Sequence, residues 1–168
     1  MNLYLIRHGI AHDLHESGIA EDSQRQLTKE GKEQLKEVSK GLVKLKIKPD
    51  HIFSSPLIRA RQTAEIIANT FNHHQNINII QSLAPGYSFS DLYKDLKAHS
   101  PFEEIFLVGH EPSLSLLASH LLWAGDELNI SFKKASVCRI DIYDIPPTTP
   151  GTLKWILTPK LIQSLIGL

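Results

Sequence analysis

The sequence predicts an α/β fold, and three features carry the prediction. Short apolar runs suited to buried strands alternate with longer stretches whose apolar residues recur at helical spacing. Several runs stop abruptly at a glycine, a histidine or an arginine. Helix-starting residues then follow them. The 168 residues fit one compact domain, 1–168, with no internal repeat, low-complexity tract or domain boundary.

Leu3–Ile6 form the first strand, which ends at Arg7-His8-Gly9. Charged residues therefore sit at a strand C-terminus, where open α/β sheets place ligands, and Gly9 allows a sharp turn with its backbone close to whatever is bound. The polar stretch from His12 to Gln26, with Gly18, reads as a loop over the strand end and carries Asp22 and Arg25. Thr28 is a natural N-cap for a helix whose stripe is Leu35, Val38, Leu42 and Leu45, and Lys48-Pro49-Asp50 ends it.

His51-Ile52-Phe53 is a second strand, leading through Ser54-Ser55-Pro56 into a second helix. Ser55 as N-cap and Pro56 as first helical residue place Arg59 in the first turn. A cation there conflicts with the helix macrodipole, and a bound anion would resolve the conflict. Asn76 to Ile80 is the third strand, followed by a turn at Ala84-Pro85-Gly86 and a helix from Ser90 to Ala98. Ile105–Val108 is the fourth, and Gly109-His110-Glu111-Pro112 repeats the opening pattern before a helix carrying Leu114, Leu117 and Leu121. Strands at Ser136–Tyr143 and Thr152–Leu157 and a short helix complete the chain. If the first, second and fourth strands are parallel neighbours, His8, Arg59 and His110 converge on one spot.

Lysine plus arginine equals aspartate plus glutamate at 18 each, so no net charge draws the protein to nucleic acid or to a membrane surface. Any phosphate site must be a local cluster of cations. Cys138 is the one cysteine, which excludes an internal disulfide and reads as a small buried strand residue. No export signal and no apolar run of bilayer length is visible, which predicts a cytoplasmic protein. His12 and His15 read as solvated rather than as metal ligands, and His73 and His74 as residues of a helix end. Lys133-Lys134 either edge a phosphate site or are solvated. Trp123 and Trp155 are expected in the core or at an interface.

Four segments together resemble the histidine phosphatase superfamily over the first three-quarters of the chain. They are Arg7-His8-Gly9, Arg25-x-Leu27-Thr28-x-x-Gly31, Ser55-Pro56-x-x-Arg59-Ala60-x-Gln62-Thr63-Ala64 and Val108-Gly109-His110-Glu111-Pro112. The short, compact layout is most similar to the small bacterial phosphohistidine phosphatases of the SixA type. The resemblance implies a phosphoglycerate mutase-like three-layer αβα sandwich around a mostly parallel sheet, a phosphohistidine intermediate, and no metal or other cofactor. It also implies a phosphohistidine-bearing protein partner, such as a phosphotransfer domain or a phosphocarrier. A monomer is the expected state.

His8 is the expected nucleophile, because a neutral imidazole offers one lone pair while a backbone carbonyl holds its other nitrogen as donor. A phosphoryl group carries about −1.5 to −2 charge, and Arg7, Arg59 and His110 are the cations expected to meet it. The family motif places Arg25 over the phosphate, and Asp22 is the candidate to orient Arg25. Gly9 and Glu111 complete the expected binding residues. Larger superfamily members carry a glutamate after the third strand as general acid for an alkoxide leaving group. Ser82-Leu83-Ala84-Pro85-Gly86 has no carboxylate there. An imidazole leaving group needs that acid far less, once its ring is protonated. Glu111 is either a substitute acid or the cap of the following helix. Two alternatives stand beside the phosphohistidine reading: a phosphatase for small esters with Glu111 as acid, and a module that binds phosphorylated partners without turnover.

Overall fold

A computed structural model describes residues 1–14, 21–72, 77–99, 103–123 and 130–167. His15, Gly18, His73, His74 and Asn76 lie outside the described residues. Six strands form one sheet: β1 Asn2–Arg7, β2 His51–Ser54, β3 Ile77–Ile79, β4 Glu104–Gly109, β5 Val137–Asp141 and β6 Thr152–Leu157. The helices are α1 Lys29–Lys44, α2 Ile58–Phe71, α3 Phe89–Lys97, α4 Ser113–Leu121 and α5 Pro159–Ile166. The strand order is β3-β2-β4-β1-β5-β6, with β3, β2, β4 and β1 mutually parallel and β5 antiparallel to both its neighbours. The expected mostly parallel αβα sandwich is the observed one.

Alternation along the strands builds two cores. On one face Tyr4, Ile6, Ile52, Phe106, Val108 and Val137 meet α1, α2 and α5 through Leu35, Val38, Ala64, Ile67 and Ile162. On the other, Leu3, Leu5, Phe53, Leu107, Cys138 and Ile140 meet α3 and α4 through Leu92, Leu96, Leu114 and Leu117. Cys138 is the small buried strand residue expected, with burial pushing its thiol pKa up to about 12. No described helix is long and apolar enough to cross a membrane.

Three local expectations are corrected. Leu45 is exposed, because α1 ends at Lys44 and Lys46 turns left-handed at φ 59°. Trp123 is exposed, which corrects the core half of its expectation and leaves the interface half standing, whereas Trp155 is half-buried with its ring 5.9 Å from Tyr4. The second helix begins at Ile58, with Leu57 in the capping position and no side-chain cap. Ser55 therefore precedes α2, and its hydroxyl serves the site described next.

Candidate active site

The register places three strand ends side by side: Arg7 pairs with Gly109, and Ser54 with Val108. The residues just beyond them, His8, Ser55 and His110, are thereby gathered at one edge of the sheet. The His8 N–H donates to the Gly109 carbonyl (3.1 Å) and the Ser55 N–H to that of Val108 (3.0 Å), so the parallel ladder continues into the site. The His8 and His110 rings lie 5.0 Å apart.

His8 is 7% exposed. Its Nδ1 lies 2.7 Å from the Gly9 carbonyl, and its Nε2 receives the Nε–H of Arg59 at 3.2 Å. A guanidinium has only donors and a carbonyl only accepts. The two contacts thus select the neutral tautomer with the proton on Nδ1 and the lone pair on Nε2. Burial pushes the His8 pKa down to about 4; the Gly9 bond opposes this, while Arg59, Arg7 and Lys134 reinforce it. Half-buried Lys134 therefore borders the site electrostatically, whereas Lys133 is exposed.

Gly9 owes its place to packing. A Cβ there would lie 2.7 Å from the Leu35 side chain and 3.3 Å from the Gly31 carbonyl, so α1 closes directly onto the turn after His8. Gly31 in turn lies against the Ile10 backbone. Thr28 caps α1 as expected, its hydroxyl accepting the Gly31 N–H at 3.0 Å. Gln62 and Thr63 on α2 accept the N–H groups of Leu27 (2.8 Å) and Gly9 (3.2 Å), which ties both loops to the helix carrying Arg59.

Arg59 is 5% exposed. Beyond His8, its Nη1 donates to the Asp22 carbonyl and its Nη2 to the Asp22 carboxylate, each at 2.8 Å. The other Asp22 oxygen accepts from Arg25 Nη1 at 2.9 Å, and Arg25 Nε donates to the His12 carbonyl at 2.6 Å. Asp22 thus bonds both Arg25 and Arg59, and the second contact is one the sequence did not reveal. Partial burial would raise the Asp22 pKa, but the hydrogen bonds from Arg25 and Arg59 hold it below the usual carboxylate range.

His110 is 2% exposed, with Nε2 2.8 Å from the buried Ser55 hydroxyl. Burial, then Arg59 and His8, push its pKa down to about 3. Burial beside a guanidinium thus disfavours, in the free protein, the cation expected of His110. Arg7 Nη1 donates to the Phe132 carbonyl at 2.6 Å. Arg7 Nε and His110 Nδ1 are buried without a hydrogen-bond partner among the described residues. Native proteins leave few such atoms, and two on residues flanking His8 mark a place where a ligand's oxygens would be received. Glu111 does not join this group: its oxygens accept from Phe132 and Ser115, the capping alternative. No described group of three His, Cys, Asp or Glu residues is placed to hold a metal ion.

The C-terminal ends of three parallel strands thus gather Arg7, His8 and His110, with Arg59 from the first turn of α2 beside them. The histidine phosphatase superfamily (branch 1) model matches residues 3–84, just under half of the chain. The match spans three of the four motifs and stops short of Val108–Pro112. An uncharacterised protein of Picosynechococcus sp. is 36% identical over 165 residues, covering 95% of this chain and 98% of that protein. The phosphohistidine phosphatase SixA of Escherichia coli is 22% identical over 161 residues, covering 95% and 94%. A structure of the protein histidine phosphatase SixA complexed with tungstate superposes with a TM-score of 0.82 at 22% identity, covering 95% and 98%. An alpha-ribazole phosphatase from Shigella flexneri shares the fold with a TM-score of 0.70 at 19% identity, covering 95% and 97%. A phosphoserine phosphatase mutant from Entamoeba histolytica does so at 0.68 and 18%, covering 95% and 98%.

Proposed function

We propose that this protein is a metal-independent phosphohistidine phosphatase of the cytoplasm, acting as a monomer on the phosphohistidine of a phosphotransfer domain or phosphocarrier protein. The observation that carries the reading is the state of His8. Its ring is neutral, its proton is held by Gly9, and its Nε2 lone pair faces the guanidinium of Arg59.

In the first step Nε2 bonds to phosphorus while the P–N bond of the substrate breaks. The electron pair returns to the leaving nitrogen, and a ring protonated on its other nitrogen departs as neutral imidazole. Arg7, Arg59 and the unpaired His110 Nδ1 receive the phosphoryl oxygens, and Asp22 with Arg25 holds Arg59 in place. In the second step water attacks phosphorus, the P–Nε2 pair returns to His8, and the water's two protons leave with the phosphate. Positioning and charge stabilisation are the main contributions the protein makes to such a transfer. A positioned general acid is worth about 10²–10⁴ in rate for a poor leaving group. Ser82, Leu83 and Ala84 line a pocket with His110 and bear no carboxylate of their own, and the nearby Asp95 carboxylate is engaged by the Ser82 hydroxyl at 2.5 Å, which suits an imidazole better than an alkoxide. Likeness to SixA in sequence and fold supports the same substrate class.

The fold is shared with phosphatases named for ribazole and phosphoserine, which favours the ester reading as the second choice. Rapid quenching after mixing with a phosphohistidine-bearing protein tests the proposal. An acid-labile phosphoenzyme should form on the wild type and be lost, with all turnover, in a folded His8→Ala. Turnover retained by that variant would overturn the nucleophile assignment.

A further inference from the structure

Glu111 follows His110 directly, yet its carboxylate is committed elsewhere. Oε1 accepts the backbone N–H of Phe132 at 2.8 Å. Oε2 accepts the Ser115 hydroxyl and, at 3.4 Å, the Ser115 N–H in the first turn of α4. The carbonyl of the same Phe132 accepts from Arg7 Nη1 at 2.6 Å. Both backbone polar groups of Phe132 are therefore used, one by Glu111 and the other by Arg7. The Phe132 side chain, 1% exposed in the α3/α4 core, anchors the residue a third way.

Arg7 needs such a support. Its backbone is tied down, the N–H donating to Ser136 and the carbonyl accepting from Ala135, both at 3.1 Å. Its side chain is less constrained: Nη1 bonds to Phe132, while Nε is buried without a partner among the described residues. Phe132 lies before β5, outside any described helix or strand, so no ladder holds its carbonyl at the required place. The Glu111 carboxylate supplies that hold from the opposite side.

We infer that Glu111 is a positioning residue for Arg7, acting through Phe132, and not a proton donor to the leaving group. Both of its oxygens already accept hydrogen bonds from the protein, and the guanidinium it indirectly orients is the one next to the nucleophile in sequence. The inference rests on the proposed function only in taking Arg7 as a phosphate ligand. Misplacing a reacting or charge-stabilising group by an ångström can cost about 10² in rate, so a residue that touches no substrate can still set activity.

Glu111→Gln, Glu111→Ala and Ser115→Ala separate the possibilities. The readouts are calorimetric binding of inorganic phosphate and the pH profile of kcat/KM on a phosphoramidate and on an aryl phosphate. A glutamine oxygen can accept the Phe132 N–H, and its amide can donate to the Ser115 hydroxyl. Glu111→Gln should therefore keep phosphate affinity and kcat/KM within about threefold of wild type, as loss of one weak contact allows. Glu111→Ala should weaken phosphate binding about tenfold and lower kcat/KM by about 10–10² on both substrates alike. Ser115→Ala, which removes the hydroxyl contact and keeps the backbone N–H one, should leave phosphate affinity within about twofold. If Glu111→Ala does not fold, Glu111→Asp, whose carboxylate is one methylene shorter, takes its place: weaker phosphate binding is expected, and binding as tight as wild type would overturn the inference.

Glu111→Gln losing aryl phosphate turnover together with the alkaline limb of its profile would overturn the inference in favour of a general acid. Glu111→Ala binding phosphate as tightly as wild type would overturn it in favour of a helix cap alone. Phosphate affinity is read without any organic substrate. A wrong substrate assignment would thus show in the substrate comparison and leave this result standing.

Discussion

Arg59 donates its Nε–H to Nε2 of His8 at 3.2 Å, while both outer nitrogens of the same guanidinium are held by Asp22. The lone pair proposed to attack phosphorus is therefore already aligned with a cation, and the cation carries an internal anion where phosphoryl oxygens would bind. Asp22→Asn keeps an acceptor but removes the competing charge. Because the Asp22 side of the pair faces solvent and such pairs are worth about 0.2–1 kcal/mol, inorganic phosphate should inhibit this variant about two- to fivefold more tightly. Its kcat should fall, since Arg59 is less firmly anchored. Weaker phosphate inhibition would show that Asp22 assists binding instead of competing with it.

The two site histidines should not titrate in the usual range. Their folded pKa values, about 4 for His8 and about 3 for His110, lie below the ordinary 6.5. Both rings are consequently neutral above pH 6.5 and remain so as the pH falls toward 4. Their contribution to stability is full above pH 6.5 and is lost as the pH drops through the folded values, because the unfolded chain takes up protons first. The acid limb of kcat/KM that reports His8 should lie near pH 4. Proton NMR of the ring Cε1–H signals checks this directly: flat traces from pH 7.5 to 5 are expected. Saturating phosphate should raise the His110 value by placing an anion near it. Ordinary titration at 6.5 in the free protein would contradict the burial argument.

Ser55 holds the second histidine. Its hydroxyl lies 2.8 Å from His110 Nε2 and also accepts the Leu57 N–H at 3.3 Å, so the start of the α2 segment and the ring orientation share one atom. Ser55→Ala leaves Nε2 buried and unsatisfied, at a cost of about 1–3 kcal/mol. Its kcat should drop about tenfold, short of the about 10²–10³ expected when an oxyanion donor is removed outright. Nitrogen-15 shifts of His110 should change tautomer pattern in the same variant. An unaltered pattern with full activity would remove Ser55 from the machinery.

Gly31→Ala tests the seating of the nucleophile's loop. A methyl group there would meet the Ile10 backbone, which cannot move without shifting the turn after His8. Overpacking against backbone should cost about 1–3 kcal/mol, read as a lowered Tm, with turnover falling alongside. An unchanged Tm would show that α1 can slide away from the turn.

The layout of the site was legible because it depends on strand ends. Leu3–Ile6, Ile52-Phe53 and Ile105–Val108 are continuous apolar runs, and parallel pairing brings His8, His110 and the start of the Arg59 helix together. What escaped the sequence depends on tertiary neighbours. Ser-Pro before a helix looks like a cap, yet Ser55 faces the His110 ring once β2 and β4 pair. The Glu111–Phe132–Arg7 connection joins residues far apart in sequence and follows no period. The lowered pKa of His110 follows from burial beside Arg59, a property no spacing encodes.

The central claim is best tested by inorganic phosphate release from a phosphohistidine-bearing protein and from a panel of phosphate esters, each with chelator and without added metal. Fast release from phosphohistidine, slow release from every ester and no effect of chelator are expected. Preference for an ester, or loss of activity with chelator, would contradict the account.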